Sequence, residues 1–257
     1  MLFDTHAHLD DETFSADRAE VLARAEAAGL NGIVCIGTTA ASSAQCVAIA
    51  GQYPIVHAAV GIHPNNVHEE AAGDWDRILA LVEQPKVVAL GETGLDRHWD
   101  RAPFDRQQDF FARHLELSRQ RRLPFIVHLR DCEADVLAML REAYRHGPLL
   151  GVMHSFTGGP EMAAECVAMG LYISFAGMVT YKKSHDLRAC AATIPADRIL
   201  IETDSPYLSP EPVRKIRRNE PAHVAHTAAC LAEVRGEPLE AFSAHSTANA
   251  RRLFGLE

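Results

Sequence analysis

Eight short apolar runs, separated by stretches with helical periodicity, limit most strongly what this chain can fold into. The runs are rich in β-branched residues and occupy residues 2–5, 32–36, 55–60, 87–90, 125–128, 150–154, 171–175 and 199–202. Strands that alternate with helices pair in parallel, because each helix returns the chain to the end of the sheet where the preceding strand began. Eight such units close into a barrel. The pattern therefore predicts an α/β fold, a single (β/α)8 TIM-type barrel.

The segments between the runs repeat apolar residues with helical spacing, which predicts helices at residues 17–28, 133–145 and 161–169. Pro160 precedes the last of these and Gly170 follows it, an asymmetry typical of helix ends. The chain from Pro221 onward also has a helical pattern. We expect it to supply a C-terminal helix that docks on the barrel.

The length of 257 residues suits one barrel domain, and no repeat or linker divides it. We therefore predict a single domain over residues 1–257. No apolar run approaches the ~20 residues of a membrane span, and the acidic start does not resemble a signal peptide. The six cysteines show no CxxC spacing and several fall in apolar stretches. They are expected to be reduced core residues of a cytoplasmic protein that has no membrane partner.

Side chains that can bind metals stand where the apolar runs end. They are His6, His8, Glu92, His128, His154 and Asp204. Parallel barrel strands end at one face, where active sites are built, and alternate residues of a strand point the same way. Four imidazoles and two carboxylates are too many for one tetrahedral ion, but they suit two divalent cations about 3.5–4 Å apart. The sequence therefore predicts a two-metal site with a bridging carboxylate.

The formal net charge of −9 argues against a protein that coats duplex nucleic acid, because phosphate neutralisation supplies most of that affinity. Contact with a strand end or a short oligonucleotide stays open. One basic cluster could support it, formed by Arg214, Lys215, Arg217 and Arg218.

Ordered motifs along the chain resemble the TatD family of metal-dependent deoxyribonucleases, within the amidohydrolase superfamily. They are DTHAHLD (4–10), GIHP (61–64), GETGLD (91–96), IVH (126–128), HSFTG (154–158), ETDSP (202–206), RNEP (218–221) and the segment 249–254. The set covers essentially the whole chain. The resemblance implies that His6, His8, Glu92 and Asp204 hold a first cation, and that Glu92 reaches a second cation together with two further ligands, His128 and His154.

Three positions bear on the branch of the superfamily and on substrate preference. Glu92 stands where many superfamily relatives carry a carbamylated lysine, which favours the TatD branch. Arg97 stands where an aromatic residue is common in the family, and Leu129 where a small residue is more usual. Because both departures fall near the expected site, they leave the fine substrate preference open.

Hydrolysis of a phosphodiester requires a base, ligands for the cations and contacts to phosphate. Asp204 is expected to bind metal and to accept the proton of the attacking water. Glu202 is predicted to act as an auxiliary base or to orient a histidine, with a barrel-lining carboxylate as the alternative. His63 could donate to a phosphate oxygen or be a structural turn residue. Arg130 and the basic cluster suit phosphate contacts, with a solvated loop as the alternative for the cluster.

The cations are expected to be Zn, Mn, Fe or Co from the imidazole-rich ligand set, and Mg from the resemblance. The favoured function is a deoxyribonuclease, an exonuclease that trims DNA from a 3′ end, with single-stranded ends or short oligonucleotides as preferred substrates. The alternative is hydrolysis of another ester, such as D-aminoacyl-tRNA deacylation, or of a small ester or amide. A third hypothesis is a non-catalytic barrel that keeps metal for structure and binds a partner. The sequence leaves oligomeric state open.

Overall fold

The computed structural model describes residues 1–256, and Glu257, the last residue of the predicted domain, lies outside the described residues. Its strands are β1 Leu2–Ala7, β2 Leu30–Ile36, β3 Val56–Val60, β4 Val87–Asp96, β5 Phe125–Arg130, β6 Gly151–Met153, β7 Tyr172–Phe175 and β8 Ile199–Ile201. Consecutive strands pair in parallel from β1 to β8. Each of the eight predicted runs overlaps one of these strands.

Within residues 1–256, seven helices lie in the connections between consecutive strands and two more follow β8. They are α1 Arg18–Ala27, α2 Ala40–Gln52, α3 Asp74–Leu81, α4 Phe104–Arg121, α5 Glu133–Tyr144, α6 Pro160–Ala168, α7 His185–Thr193, α8 Val224–Arg235 and α9 Leu239–Phe254. The three helices predicted individually correspond to α1, α5 and α6, within one residue at each end. None of the helices formed by residues 1–256 combines the length and apolar character needed to cross a membrane.

The barrel closes where the end of β1 meets the segment after β8. Ala7 and Ser205 form a parallel bridge there. The backbone N–H of His8 donates to the carbonyl of Ser205 at 2.8 Å, and that of Asp204 donates to the carbonyl of His6 at 2.9 Å. The predicted (β/α)8 barrel is confirmed. This seam also brings Asp204 beside two histidines that are about 200 positions away in sequence.

The C-terminal helix α9 packs against the end of the barrel where the strands begin. Its residues Ala250, Leu253 and Phe254 join a buried cluster with side chains from the strands. The ring of Phe254 lies 6.0 Å from that of Phe3 on β1. The predicted docking helix is thus confirmed, and it fills the end of the barrel that contains the starts of the strands.

Strand β4 extends six residues beyond the predicted run, because the segment 91–96 continues to pair with β5 as far as Asp96 and Arg130. The register shifts between Leu90 and Thr93, and this irregularity contains Glu92. At Gly91 the backbone has φ +131° and a Cβ would meet the carbonyl oxygen of Ile126 at 2.9 Å. A residue without a side chain is therefore required there, and such bulges re-aim neighbouring side chains at active sites.

All six cysteines are free thiols, as predicted. Five of them are buried, and Cys230 is partly buried. The thiols of Cys35 and Cys46 lie 3.2 Å apart beneath the barrel surface.

His114 is a buried structural histidine on α4. Its Nδ1 donates to the carbonyl of Phe110 at 2.7 Å, and its Nε2 accepts from the backbone N–H of Ile62 at 3.2 Å. Burial lowers the pKa of His114 to about 4. The neutral ring therefore ties α4 to the segment after β3.

We expect acid to destabilise the fold through this ring. Below pH 6.5 the unfolded chain binds a proton at His114, whereas the folded protein binds it only near pH 4. The free energy of unfolding therefore decreases as pH falls from 6.5 to about 4, by about 3 kcal/mol in total. Urea unfolding at pH 7 and pH 4.5 measures it. His114→Gln should flatten the dependence, whereas the exposed control His146→Gln should retain it; equal slopes in the two variants would contradict this assignment.

Candidate metal centre

A pocket of about 830 Å³ opens at the carboxyl ends of the strands. Its wall includes most of the side chains predicted to bind metal, namely His8, Glu92, His128, His154 and Asp204, together with the predicted substrate contacts His63 and Arg130. His6 lies fully buried beneath them. The structure thus brings together all six predicted ligands.

Four donor atoms converge at the floor of the pocket. The Nε2 atoms of His6 and His8 lie 3.3 Å apart. Oε2 of Glu92 lies 3.4 and 3.8 Å from these two nitrogens, and Oδ1 of Asp204 lies 3.6 and 3.4 Å from them. Ligands at ~2.1 Å from a tetrahedral ion are separated by about 3.4 Å. The first donor set therefore has the dimensions of a tetrahedral cation site.

A second donor set surrounds the other oxygen of Glu92. Oε1 lies 2.9 Å from Nδ1 of His128 and 3.0 Å from Nε2 of His154. Glu92 accordingly presents one oxygen to each set, as the predicted bridge requires. The residues present therefore fit two divalent cations that share this carboxylate.

The hydrogen bonds of the remaining ring nitrogens show which nitrogen of each histidine is available to bind a cation. Nδ1 of His154 donates to Glu202 at 3.1 Å, and Nε2 of His128 donates to Asp96 at 3.0 Å. Nδ1 of His8 donates to the carbonyl of Ile36 at 3.3 Å. A ring that donates through one nitrogen keeps a lone pair on the other, which is how metal-binding histidines are oriented. In each of these three rings the nitrogen that faces the donor sets has a lone pair in the neutral form, which is the form that would bind a cation, and donates to a carboxylate when the ring is protonated. Nδ1 of His6 has no partner among residues 1–256.

In His63 the protonated nitrogen, and not the lone pair, faces the donor sets. Its Nδ1 accepts the backbone N–H of Asn65 at 3.0 Å, so the proton of the neutral ring resides on Nε2. Nε2 lies 3.5 Å from Oε1 of Glu92 at the pocket wall. A protonated nitrogen donates a hydrogen bond and does not bind a cation, so this geometry favours a contact to substrate over metal binding.

The electrostatics of the pocket favour positive charge between the carboxylates. Burial raises the pKa of Glu92, but the nearby His154 and His63 and the hydrogen bond from His128 outweigh burial and hold it well below its usual value. Asp204 behaves in the same way, since burial is outweighed by the hydrogen bond from His8 and by neighbouring imidazoles, and its pKa is lowered. Both carboxylates are therefore ionised at neutral pH and suited to bind cations.

Asp204 has a constrained backbone. Its φ is +54°, in the left-handed region that a non-glycine residue adopts at a cost of about 1–3 kcal/mol. The adjacent Thr203 is held by the buried Asp4, which accepts its backbone N–H at 2.8 Å and its hydroxyl at 2.6 Å. Asp4 thereby helps to fix the direction in which Asp204 points into the pocket.

Glu202 is fully buried and does not line the pocket. Its Oε1 accepts from Nδ1 of His154 at 3.1 Å and from the backbone N–H of Ser155 at 2.6 Å. Of the predicted roles, this position favours orientation of His154 over a direct proton transfer with substrate.

We expect Glu202→Gln to weaken metal binding by about 10- to 100-fold, the usual effect of changing a partner of a metal-binding histidine. Turnover at saturating metal should recover most of its original rate, because the amide leaves the pocket wall intact. Isothermal titration with Zn or Mn, paired with initial rates, measures the two effects. Glu240→Gln, at an exposed position in the first turn of α9, is the control. A low rate that persists at saturating metal would instead support the base role.

The basic cluster predicted for substrate lies outside the described pocket wall. The guanidinium of Arg218 donates to both oxygens of Asp17 at 2.7 and 2.6 Å, and that of Arg214 lies 3.9 Å from the centre of the Tyr181 ring. Lys215 and Arg217 are exposed. Arg218 thus forms an ion pair within the protein, whereas Lys215 and Arg217 are open to solvent and stay candidate phosphate contacts.

Asp96 and its hydrogen-bond partner Asn65 were not predicted from the sequence to belong to the site. Asp96 accepts hydrogen bonds from His128 and, at 2.8 Å, from the side chain of Asn65. Burial opposes ionisation of Asp96, but these hydrogen bonds and that of the Trp99 backbone outweigh it and lower its pKa. The available signal was its place in the GETGLD motif, four residues after Glu92.

Comparison with known proteins agrees with this geometry. Residues 3–255 match the family model described as TatD related DNase. A Bacillus subtilis protein named uncharacterized metal-dependent hydrolase YabD is 40% identical over all of both chains. A Citrobacter koseri protein named 3′-5′ ssDNA/RNA exonuclease TatD is 38% identical over 99% of both chains.

A solved structure shows the same likeness in three dimensions. YjjV from Escherichia coli K12, a TatD homologue, superposes with a TM-score of 0.93 at 31% identity, over 100% of this chain and 98% of that one. The match to the family model spans nearly every described element, from β1 to the end of α9. This protein is therefore a member of the TatD-related DNase family, a family of metal-dependent hydrolases.

Proposed function

We propose that this enzyme is an exonuclease that hydrolyses phosphodiester bonds of single-stranded DNA from the 3′ end with two divalent cations. The observation that carries the proposal is the arrangement of Glu92, whose two oxygens each face a separate set of histidine nitrogens. His6, His8 and Asp204 would complete the first set, with His128 and His154 in the second. Zn, Mn, Fe, Co and Mg are the candidate ions.

Divalent cations held by these side chains would supply Lewis acidity for a phosphate oxygen and a lowered pKa for a water. The chain's own residues supply the other requirements. Asp204, ionised and open to the pocket, would accept the proton of the attacking water. The Nε2 proton of His63 would donate to a phosphate oxygen, while Arg130 on the pocket wall would contact phosphate.

The dimensions and charge of the molecule support a strand end as the substrate. The site is a pocket with walls on several sides, and the chain carries a net charge of −9, which opposes binding of a long polyanion over the whole surface. The relative from Citrobacter koseri carries the name of an exonuclease for single strands. Hydrolysis of aminoacyl-tRNA or of a small ester or amide is not favoured by these relatives.

The proposal also covers the organisation of the protein and its compartment. We place residues 1–257 in one catalytic domain, since the described elements belong to one barrel and its helices. Six free thiols support a reducing compartment, the cytoplasm.

The decisive experiment compares linear and circular single-stranded DNA of one sequence, with chelator and with Mn or Mg restored. We expect short products to be released progressively from the linear strand, no hydrolysis with chelator, and resistance of the circle. Linear strands blocked at the 3′ or the 5′ end report the direction. Equal rates on circle and line would overturn the exonuclease assignment, and turnover in chelator would overturn the metal centre. Aminoacyl-tRNA, assayed beside the DNA, tests the alternative.

A further inference from the structure

The loop after β4 places a large aromatic side chain at the mouth of the pocket. Trp99 lines the pocket wall and is 44% exposed. The other tryptophan, Trp75, packs against Phe110 and His114 with ring centroids 5.9 and 4.9 Å away. Transfer of an indole from water to a contact with another apolar or aromatic surface is favourable, so an exposed indole in the wall of a pocket offers a surface to a ligand.

The position of Trp99 is tied to the metal centre through Asp96. Oδ1 of Asp96 accepts the backbone N–H of His98 at 2.8 Å and that of Trp99 at 3.0 Å. The other oxygen of the same carboxylate accepts from His128. The backbone of Trp99 is therefore fixed relative to His128, and a ligand that contacts the indole has a defined position relative to the donor sets on the pocket floor.

Two guanidinium groups flank the indole. The Cζ atoms of Arg101 and Arg130 lie 5.2 and 5.6 Å from the centre of the Trp99 ring, and both side chains line the pocket. Within residues 1–256 neither forms an ion pair with a carboxylate, whereas Arg97 in the same loop is bound by Asp135 at 2.9 Å. Trp99 thus lies beside two guanidinium groups that form no ion pair with an acidic side chain of the described residues.

An aromatic ring beside guanidinium groups that lack an ion-pair partner among the described residues is suited to bind a single strand of nucleic acid. A base stacks on the indole, and the guanidiniums contact the adjacent phosphates. Bases of an intact duplex are already stacked, so their faces are not accessible to such a surface. The charge pattern disfavours a purely apolar ligand, because two arginine side chains would lose hydration without an anionic partner.

We propose that Trp99, with Arg101 and Arg130, forms a platform that stacks a nucleobase of the single strand next to the bond being hydrolysed. The platform rests on the proposed function for its substrate, and it adds a specificity-determining residue outside the metal centre. Stacking accepts every base, because every base has an aromatic face. The platform should therefore select for the presence of a base and against a duplex end, with little preference for sequence.

Intrinsic fluorescence can read the platform directly, because the chain contains two tryptophans. In metal-loaded Trp75→Phe protein, the signal comes from Trp99 alone. A hydrolysis-resistant phosphorothioate oligothymidylate should quench it, and the same backbone with abasic 3′-terminal nucleotides should not. This titration is independent of turnover, so it tests the platform even if the DNA is not hydrolysed. Equal responses to the two oligonucleotides would overturn the proposal.

Kinetics with ordinary phosphodiester oligonucleotides provide the second test. Trp99→Ala should raise KM for the base-containing strand by about 5- to 150-fold, the range found for loss of one stacked base. It should leave KM for the abasic strand unchanged, and Trp99→Phe should recover part of the loss. Tyr144→Ala, which removes an aromatic side chain of similar exposure away from this pocket, is the control.

The outcomes separate this inference from the function on which it rests. If the original protein hydrolyses neither strand, the exonuclease proposal fails and the fluorescence titration alone decides the platform. If it hydrolyses both strands equally well and Trp99→Ala changes neither KM, the exonuclease proposal stands and the platform is overturned. An equal loss on both strands would also overturn it, because it would indicate a structural role for Trp99.

Discussion

Glu92→Ala is expected to abolish hydrolysis, with a fall in rate of at least about 1,000-fold, the scale at which several kcal/mol of charge stabilisation are lost. The reason is geometric, since Oε2 of Glu92 lies 3.4 Å from His6 and Oε1 lies 2.9 Å from His128. Removal of one carboxylate therefore takes a ligand from both donor sets. Metal content after reconstitution with Zn or Mn should fall together with the initial rate on single-stranded DNA.

His63→Ala is the matched comparison, because its Nε2 lies 3.5 Å from the same carboxylate but carries a proton. It should lose only one hydrogen bond to a charged substrate, worth about 10- to 150-fold in rate, and should retain its metal. A larger loss of rate in His63→Ala than in Glu92→Ala would show that the roles assigned to these two side chains are wrong.

Asp204→Asn is expected to slow the chemical step by about 100-fold or more, the usual scale for loss of a general base. The carboxylate faces both His6 and His8 and is open to the pocket, so it can bind metal and also accept a proton. Asparagine has nearly the same shape but a much weaker affinity for protons. Single-turnover rates at saturating metal isolate the chemical step from metal binding.

The fold should survive this change, because the bond from the Asp204 backbone N–H to the carbonyl of His6 is retained. Circular dichroism and thermal unfolding verify this point. Asp197→Asn, an exposed aspartate that precedes β8, should have the original rate. Near-normal single-turnover rates in folded Asp204→Asn protein would remove Asp204 from the role of base.

The strand ends show how far local pattern can predict a site. Hydrophobic alternation and helix signals depend on near neighbours in sequence, so they located seven of the eight strands to within a few residues. Strand β4 is the exception, because its last six residues include glycines and polar side chains that pair only in the context of β5. The polar continuation of this strand holds Glu92 and Asp96, and its extent could not be predicted from apolar character.

The ion-pair partners of charged side chains could not be predicted from the sequence, for a different reason. Arg218 and Asp17 are separated by 201 positions, yet their side chains form a bidentate ion pair. Arg130 directly precedes Asp131 in sequence, yet it lies on the pocket wall and forms no ion pair with a carboxylate of residues 1–256. Which arginines can contact a substrate depends on distances across the fold that no local pattern contains.

The sequence by itself determined the class of fold, the family, and the six side chains that converge on the pocket floor. These follow from strand periodicity and from motif order, which are properties of neighbouring residues and of their sequence along the chain. The tertiary structure alone decided which oxygen of Glu92 faces which histidine, that Glu202 and Asp96 accept hydrogen bonds from His154 and His128, and that Trp99 lies exposed beside two arginines. The reason is that tautomers, ion pairs and exposure are set by contacts between strands and loops, and barrel closure creates those contacts.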